Sequence, residues 1–326
     1  MINQFKKFSV VNLIFLFFVL LILRIGIYTQ LPIDTNTGFI EIFSRLLIPF
    51  SYKSVISPSL NVSLAAILVF LQAILFNRML NNFNIFGKTT FLPALMYVVC
   101  ASVFMPFLVL SQPLICNFLL LFVLYKILSA YKNPDEVATM FDLGLVIAIG
   151  TLLYFPFILF MLLIWIALIL FRPFNWREWL SPLLGYFTIV FMLGVFYYWN
   201  GRLSDFYEIW KPLSNAIPFY LKIKISDYVV LLPLFLVVIL GVFHISQNFF
   251  RSAVLVRKSL QFQFFFFLVA SLSFYLKSDF RINHFLLSII PISICLTYYF
   301  ISAKKRWVAE SLFFLIISFI IYFQFV

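Results

Sequence analysis

Asp142 and Arg172 enclose a stretch, Leu143 to Phe171, that contains no charged residue. Drawn as one α-helix it would be about 43 Å long at 1.5 Å per residue, against roughly 30 Å of hydrocarbon in a bilayer. Tyr154-Phe155-Pro156 sits near its middle, where proline removes a helical hydrogen bond and breaks or kinks the rod. The stretch therefore predicts two short helices back to back, meeting near Pro156.

Runs of the same kind fill the chain. Apolar segments at about 8–30, 56–77, 91–110, 113–130, 141–155, 157–171, 180–199, 227–246, 259–276, 282–302 and 307–325 approach the ~20 residues that a helix needs to cross a bilayer. Only 10% of the 326 residues are charged, against about 25% in a soluble domain, so the chain cannot cover itself with water-compatible surface. Lipid offers the backbone no hydrogen bonds, which leaves helices as the open-chain solution. A β-barrel would alternate polar and apolar residues, whereas these runs are apolar on all sides. The expected fold is all-α, a polytopic transmembrane helical bundle of about eleven spans forming one domain over residues 1–326.

Lysine and arginine set its orientation. With two helices in 143–171 and the N-terminus inside, fourteen of these cations fall on the cytoplasmic side and eight outside, with Arg24 left in the membrane; with one helix the count is twelve against ten. The distribution favours a multi-pass protein of the cell inner membrane, N-terminus cytoplasmic and C-terminus periplasmic. Cytoplasmic anchoring then accounts for the net charge of +12. Nucleic acid is not an expected partner, because no loop is long enough to house a reading module.

The N-terminus, Met-Ile-Asn-Gln-Phe-Lys6-Lys7 followed by an apolar run from Phe8 to Leu23, has the form of a signal peptide. No small-residue cleavage site follows, so it is expected to stay as the first helix. Cys100, Cys116 and Cys295 lie inside apolar runs with neither metal-ligand nor disulfide spacing, and read as packing residues. No nucleotide-binding, metalloprotease or nucleophile-elbow motif occurs. The two histidines, His244 and His284, fall on opposite sides of the expected topology, which argues against a metal site. Nothing in the sequence names a cofactor.

The chemistry-bearing residues gather on the outside. In the first outside loop, Phe39, Ile42, Phe43, Leu46 and Leu47 follow helical spacing, with Glu41 and Arg45 four apart on the other face. That pattern predicts an interfacial helix near 38–50, with Asp34 placed to cap it. Asp34 and Glu41 read either as a cap and a surface ion pair, or as carboxylates serving as general base beside the lipid surface. Arg24 lies in the outer third of the first span. Intramembrane arginine is costly and usually functional; it either snorkels to the headgroups or grips phosphate. Between the ninth and tenth spans, Lys277-Ser-Asp-Phe-Arg-Ile-Asn-His284 packs polar residues tightly. This is either a solvated turn or an anion site, with Lys277 and Arg281 on a diphosphate and Asp279 and His284 supporting them. The longer outside loop 200–226 carries Arg202, Asp205, Glu208, Trp210 and Lys211 on a possible second interfacial helix. Arg172-Pro-Phe-Asn-Trp-Arg-Glu-Trp179 reads as a compact cytoplasmic turn with its tryptophans at headgroup depth.

Arg281-Ile-Asn-His284-Phe-Leu-Leu-Ser-Ile-Ile-Pro291-Ile resembles the late segment of GT-C glycosyltransferases, where a basic or aromatic residue precedes an apolar helix with a proline about ten positions on. The plan of a first helix, an acidic outside loop with an interfacial helix, and many short-looped spans is similar too. The resemblance implies a GT-C-like topology and a polyprenyl-phosphate-linked sugar as substrate at the periplasmic face. Asp34 and Glu41 would be catalytic, and Arg24, Lys277 and Arg281 would bind phosphate. The chain departs from the pattern in lacking adjacent acids in the first loop and a large outside C-terminal domain. Leu170 to Trp179 also resembles an uncharacterised membrane protein family of Bacteroidota, a likeness that implies no function. A non-catalytic subunit of an envelope complex, with protein partners, is the competing expectation. A transporter or flippase comes third, since neither midplane charges nor internal repeats stand out.

Overall fold

The structure is a computed structural model and describes residues 1–29, 31, 57–131, 136–210, 225–276, 282–303 and 305–325. The described residues are helical, with no strand among them. In chain order the α-helices are α1 (Ile2–Phe5), α2 (Val11–Ile22), α3 (Ile25–Thr29), α4 (Pro58–Asn82), α5 (Leu92–Cys100), α6 (Gln112–Ala130), α7 (Val137–Leu153), α8 (Met161–Phe171), α9 (Trp176–Trp199), α10 (Leu203–Trp210), α11 (Ile225–Asn248), α12 (Val254–Leu272), α13 (Ile289–Ser302) and α14 (Arg306–Phe325). Short 3-10 helices occupy Met105–Leu108, Phe155–Phe160, Phe249–Arg251, Ser273–Leu276 and Ile282–Ser288. Among the described residues six helices are long and apolar enough to cross a membrane: Pro58–Asn82, Gln112–Ala130, Trp176–Trp199, Val254–Leu276, Ile282–Ser302 and Arg306–Phe325. Shorter apolar helices precede and separate them. The interfacial helix expected near 38–50 falls outside the described residues.

The charge-free stretch is divided where its proline predicts. α7 ends at Leu153, Tyr154 is extended (φ −148°, ψ 107°), and Phe155–Phe160 forms a 3-10 helix before α8 begins. Packing shows that the chain reverses there. α7 and α9 lie side by side and run the same way. Ser181 Oγ donates to Val137 O near their starts, and Leu152 clusters with Leu193 and Tyr197 near their ends. α8 must therefore return between them. Its last turn lies beside the end of α6, from which the chain enters α7, since Arg172 Nη1, one residue past α8, donates to Ala130 O at 2.8 Å. Glycine permits the α7–α9 contact. A Cβ on Gly144 would lie 2.0 Å from Pro182 O, and one on Gly185 would lie 2.2 Å from Phe141 O. Small residues bring backbones together in this way where hydrophobic burial gives no drive between helices.

Two ends of the bundle follow from such contacts. One end collects Met1, whose amine lies 3.6 Å from Glu310 Oε1 at the start of α14. It also holds Phe5, whose carbonyl accepts from Phe91 N and Thr90 Oγ1, and Lys258, over the Tyr131 ring at 5.7 Å. Burial, with Lys88 and Arg306 alongside, holds the Lys6 ammonium below the usual lysine range. Arg172 and Glu178 form a buried pair at this end, Nη2 to Oε1 and Nε to Oε2 both at 2.8 Å. The turn expected here as merely interfacial is thus anchored inward by Glu178, while Trp176 is exposed. The other end collects the break after α2, the start of α4, Met105–Leu108, Tyr154, Ile282–Ser288 and the end of α14. α11 and α13 also run parallel, with Cys295 Sγ on Val238 O at 3.4 Å and His244 against Tyr299. His244 accordingly lies toward the first end and His284 at the second. The three cysteines are free, Cys100 and Cys116 buried and Cys295 partly so.

Candidate functional site

Arg24 sits where the first apolar run stops being one helix. α2 ends at Ile22, α3 begins at Ile25, and Leu23 and Arg24 lie between them. Gln324, at the far end of the chain, repairs that break: its Nε2 donates to Leu23 O at 2.6 Å and its Oε1 accepts from Gly26 N at 3.2 Å. The Arg24 side chain turns inward and is fully buried. Nη1 donates to Leu108 O at 2.9 Å and to Val62 O at 3.3 Å. It neither snorkels outward nor pairs with a carboxylate among the described residues. Next to it, Asn61 Oδ1 accepts from Leu110 N at 2.9 Å, so the start of α4 and the segment before α6 are stitched around the guanidinium.

His284 lies at the same end of the bundle. The 3-10 helix Met105–Leu108, which accepts from Arg24, also packs against Ile282–Ser288, which carries His284. The imidazole is buried. Its Nε2 is 3.1 Å from Ala270 O and 3.0 Å from Ser273 Oγ, and its Nδ1 is 2.7 Å from Tyr154 Oη. A carbonyl only accepts, so Nε2 carries a proton; with a single proton on the ring, Nδ1 accepts from the tyrosine hydroxyl. The ring ties the Tyr154 break to the Ala270–Ser273 corner. Phe155 packs edge-on against Trp210 of α10, bringing the helix found within the 200–226 loop to the same region.

Of the residues given a catalytic, phosphate-binding or supporting role in sequence, Arg24 and His284 are described and share one end of the bundle. Asp34, Glu41, Lys277, Asp279 and Arg281 lie outside the described residues. Asn61, adjacent in sequence to the Arg24 acceptor Val62, and Ser111 and Gln112, which follow Leu108 and Leu110, were not singled out. Their signal was present, as amides and a hydroxyl at the starts of two apolar runs, but such residues also serve as ordinary caps. Among the described residues no group of three or more His, Cys, Asp or Glu is placed to hold a metal.

A helical bundle with several helices of membrane-spanning length and polar groups enclosed within it defines a helical membrane protein. Residues 39–326 match a family of unknown function (DUF6427), and the chain belongs to it. Comparison with curated proteins and with solved structures gives no match.

Proposed function

We infer that this chain crosses the inner membrane about eleven times, with the N-terminus cytoplasmic and the C-terminus periplasmic, and acts at its outer end on a lipid-borne phosphate. The reaction proposed is glycosyl transfer of the GT-C kind from a polyprenyl-phosphate-linked sugar. Asp34 and Glu41 would supply the carboxylate base, Lys277 and Arg281 would join Arg24 on phosphate, and Asp279 would orient Lys277 or Arg281. The observation that carries this reading is the buried Arg24 guanidinium, held at one end of the bundle by two backbone carbonyls. A cation is expensive in a bilayer and is retained where it has something to bind.

The test compares lipid-linked glycans in cells with the wild-type chain, without it, and with Asp34→Asn or Glu41→Gln at unchanged protein level. Accumulation of the lipid-linked donor in the null and the amide variants supports transfer. Unchanged glycans would remove it and leave the second reading, a non-catalytic envelope subunit. That reading draws on His284, a supporting residue whose ring is committed to internal hydrogen bonds.

A further inference from the structure

We propose that Arg24, Asn61, Ser111 and Gln112 form a binding site for a phosphate group at the N-terminus of α6. The starting point is which nitrogens of Arg24 are used. Nη1 makes both carbonyl contacts, while Nε and Nη2 have no hydrogen-bond partner among the described residues although both are buried. Those two nitrogens share one edge of the guanidinium, the edge that offers two parallel N–H groups to two oxygens of one anion. The contacts to Leu108 and Val62 thus hold the ring in place and leave its recognition edge over.

The segments that hold Arg24 carry further donors. Asn61 Nδ2 and Gln112 Nε2 are buried without a partner, as is the Ser111 hydroxyl. Asn61 is fixed beside Leu110 by its own Oδ1, and Ser111 and Gln112 follow directly in sequence. Ser111 is the N-cap of α6 but makes no side-chain cap bond. The 19-residue helix therefore presents an uncapped N-terminus, where amides and dipole favour negative charge. Buried donors without acceptors cost free energy, charged ones most. Water would satisfy the amides but would leave the guanidinium charge uncompensated. The orphan acceptor Asn117 Oδ1 lies five residues further along α6, about 7 Å down the axis. The donor set exceeds what the two oxygens of a carboxylate accept and matches the three free oxygens of a phosphate monoester. Such a group arrives either as a lipid headgroup or as the free ion. The lipid source rests on the reading given under Proposed function; the site itself is tested by binding.

The full chain would be purified and its melting midpoint followed with inorganic phosphate, with chloride as control. The same would be done in phosphatidylcholine nanodiscs with and without phosphatidic acid. A phosphate-dependent rise is expected for wild type from at least one source, and the responding arm identifies it. Arg24→Lys, which replaces the fork by a point charge, should weaken the apparent affinity about tenfold or more. Gln112→Glu places a carboxylate beside the guanidinium. It should raise the midpoint without phosphate and abolish the phosphate-dependent rise, and it carries the comparison if Arg24→Lys fails to fold. No phosphate-dependent shift in wild type, or equal shifts in all three proteins, would overturn the site. Binding that persists while the glycan profile is unaffected would discard glycosyl transfer and keep the site; loss of binding with an intact glycan effect would do the reverse.

Discussion

Gln324 lies against Gly26 so closely that a Cβ on residue 26 would stand 2.5 Å from the Gln324 Cβ. The contact joins the last turn of the chain to the interruption in its first apolar run, and the Gln324 amide serves both the freed Leu23 carbonyl and the freed Gly26 N–H. Gln324→Leu keeps the bulk and leaves both groups unserved, so it should cost about 1–3 kcal/mol. Gly26→Ala should cost a similar amount by steric overlap, about 1–3 kcal/mol. Thermal unfolding of the detergent-solubilised chain checks both, and a midpoint unchanged in either variant would contradict this account of the break.

The Arg172–Glu178 pair is almost wholly buried, with side-chain exposures of 8% and 2%. Neutralising one partner breaks a buried ion pair, so Glu178→Gln should destabilise by about 3–5 kcal/mol, whereas replacing both residues with apolar ones of similar volume should recover much of the loss. A double variant no more stable than Glu178→Gln would mean that the pair does more than neutralise itself.

The Tyr154 hydroxyl holds the reversal between α7 and α8 against His284. Tyr154→Phe removes that donor while keeping the ring, and should cost about 1 kcal/mol. The local effect should exceed the global one. Amide hydrogen exchange should quicken around 154–160 and 273–276 while the α7–α9 contact stays protected. Uniform acceleration across the bundle would show that the tie supports the whole fold rather than this corner.

Helix content and the break near Pro156 were legible because each follows from one local rule: apolar runs near bilayer length, and a proline inside a run too long for one helix. Arg24 stood out because a charge in an apolar run is rare. Its surroundings did not, because Val62 and Leu108 contribute only backbone carbonyls, which no side-chain pattern reveals. The Arg172–Glu178 pair was hidden for a related reason. Six positions apart across Pro173 is neither a helical nor a strand spacing, so only the folded turn brings the two together. The role of Gln324 at Gly26 depends on residues almost the whole chain apart, and sequence periodicity carries no such information.

The final prediction joins the packing to the charge distribution. α7 and α9 run parallel, so the connection through Phe155–Phe160 and α8 returns from one end of the bundle to the other. Asn175, the cap of α9, then belongs to the end that holds Met1, Lys6, Lys88 and Lys258, while Gly201, just past α9, belongs to the end that holds Arg24 and His284. Cations within short loops favour the cytoplasmic side, which predicts the first end to be inside. A topology reporter inserted after Asn175 should therefore match one placed at Met1 and read as cytoplasmic. Reporters after Gly201 and after Val326 should both read as periplasmic. Had α8 continued α7 as one helix, positions 175 and 201 would exchange sides relative to Met1, so a periplasmic signal after Asn175 with a cytoplasmic one at Met1 would refute the reversal at Pro156, and periplasmic signals at both would refute the outer placement of the Arg24 end.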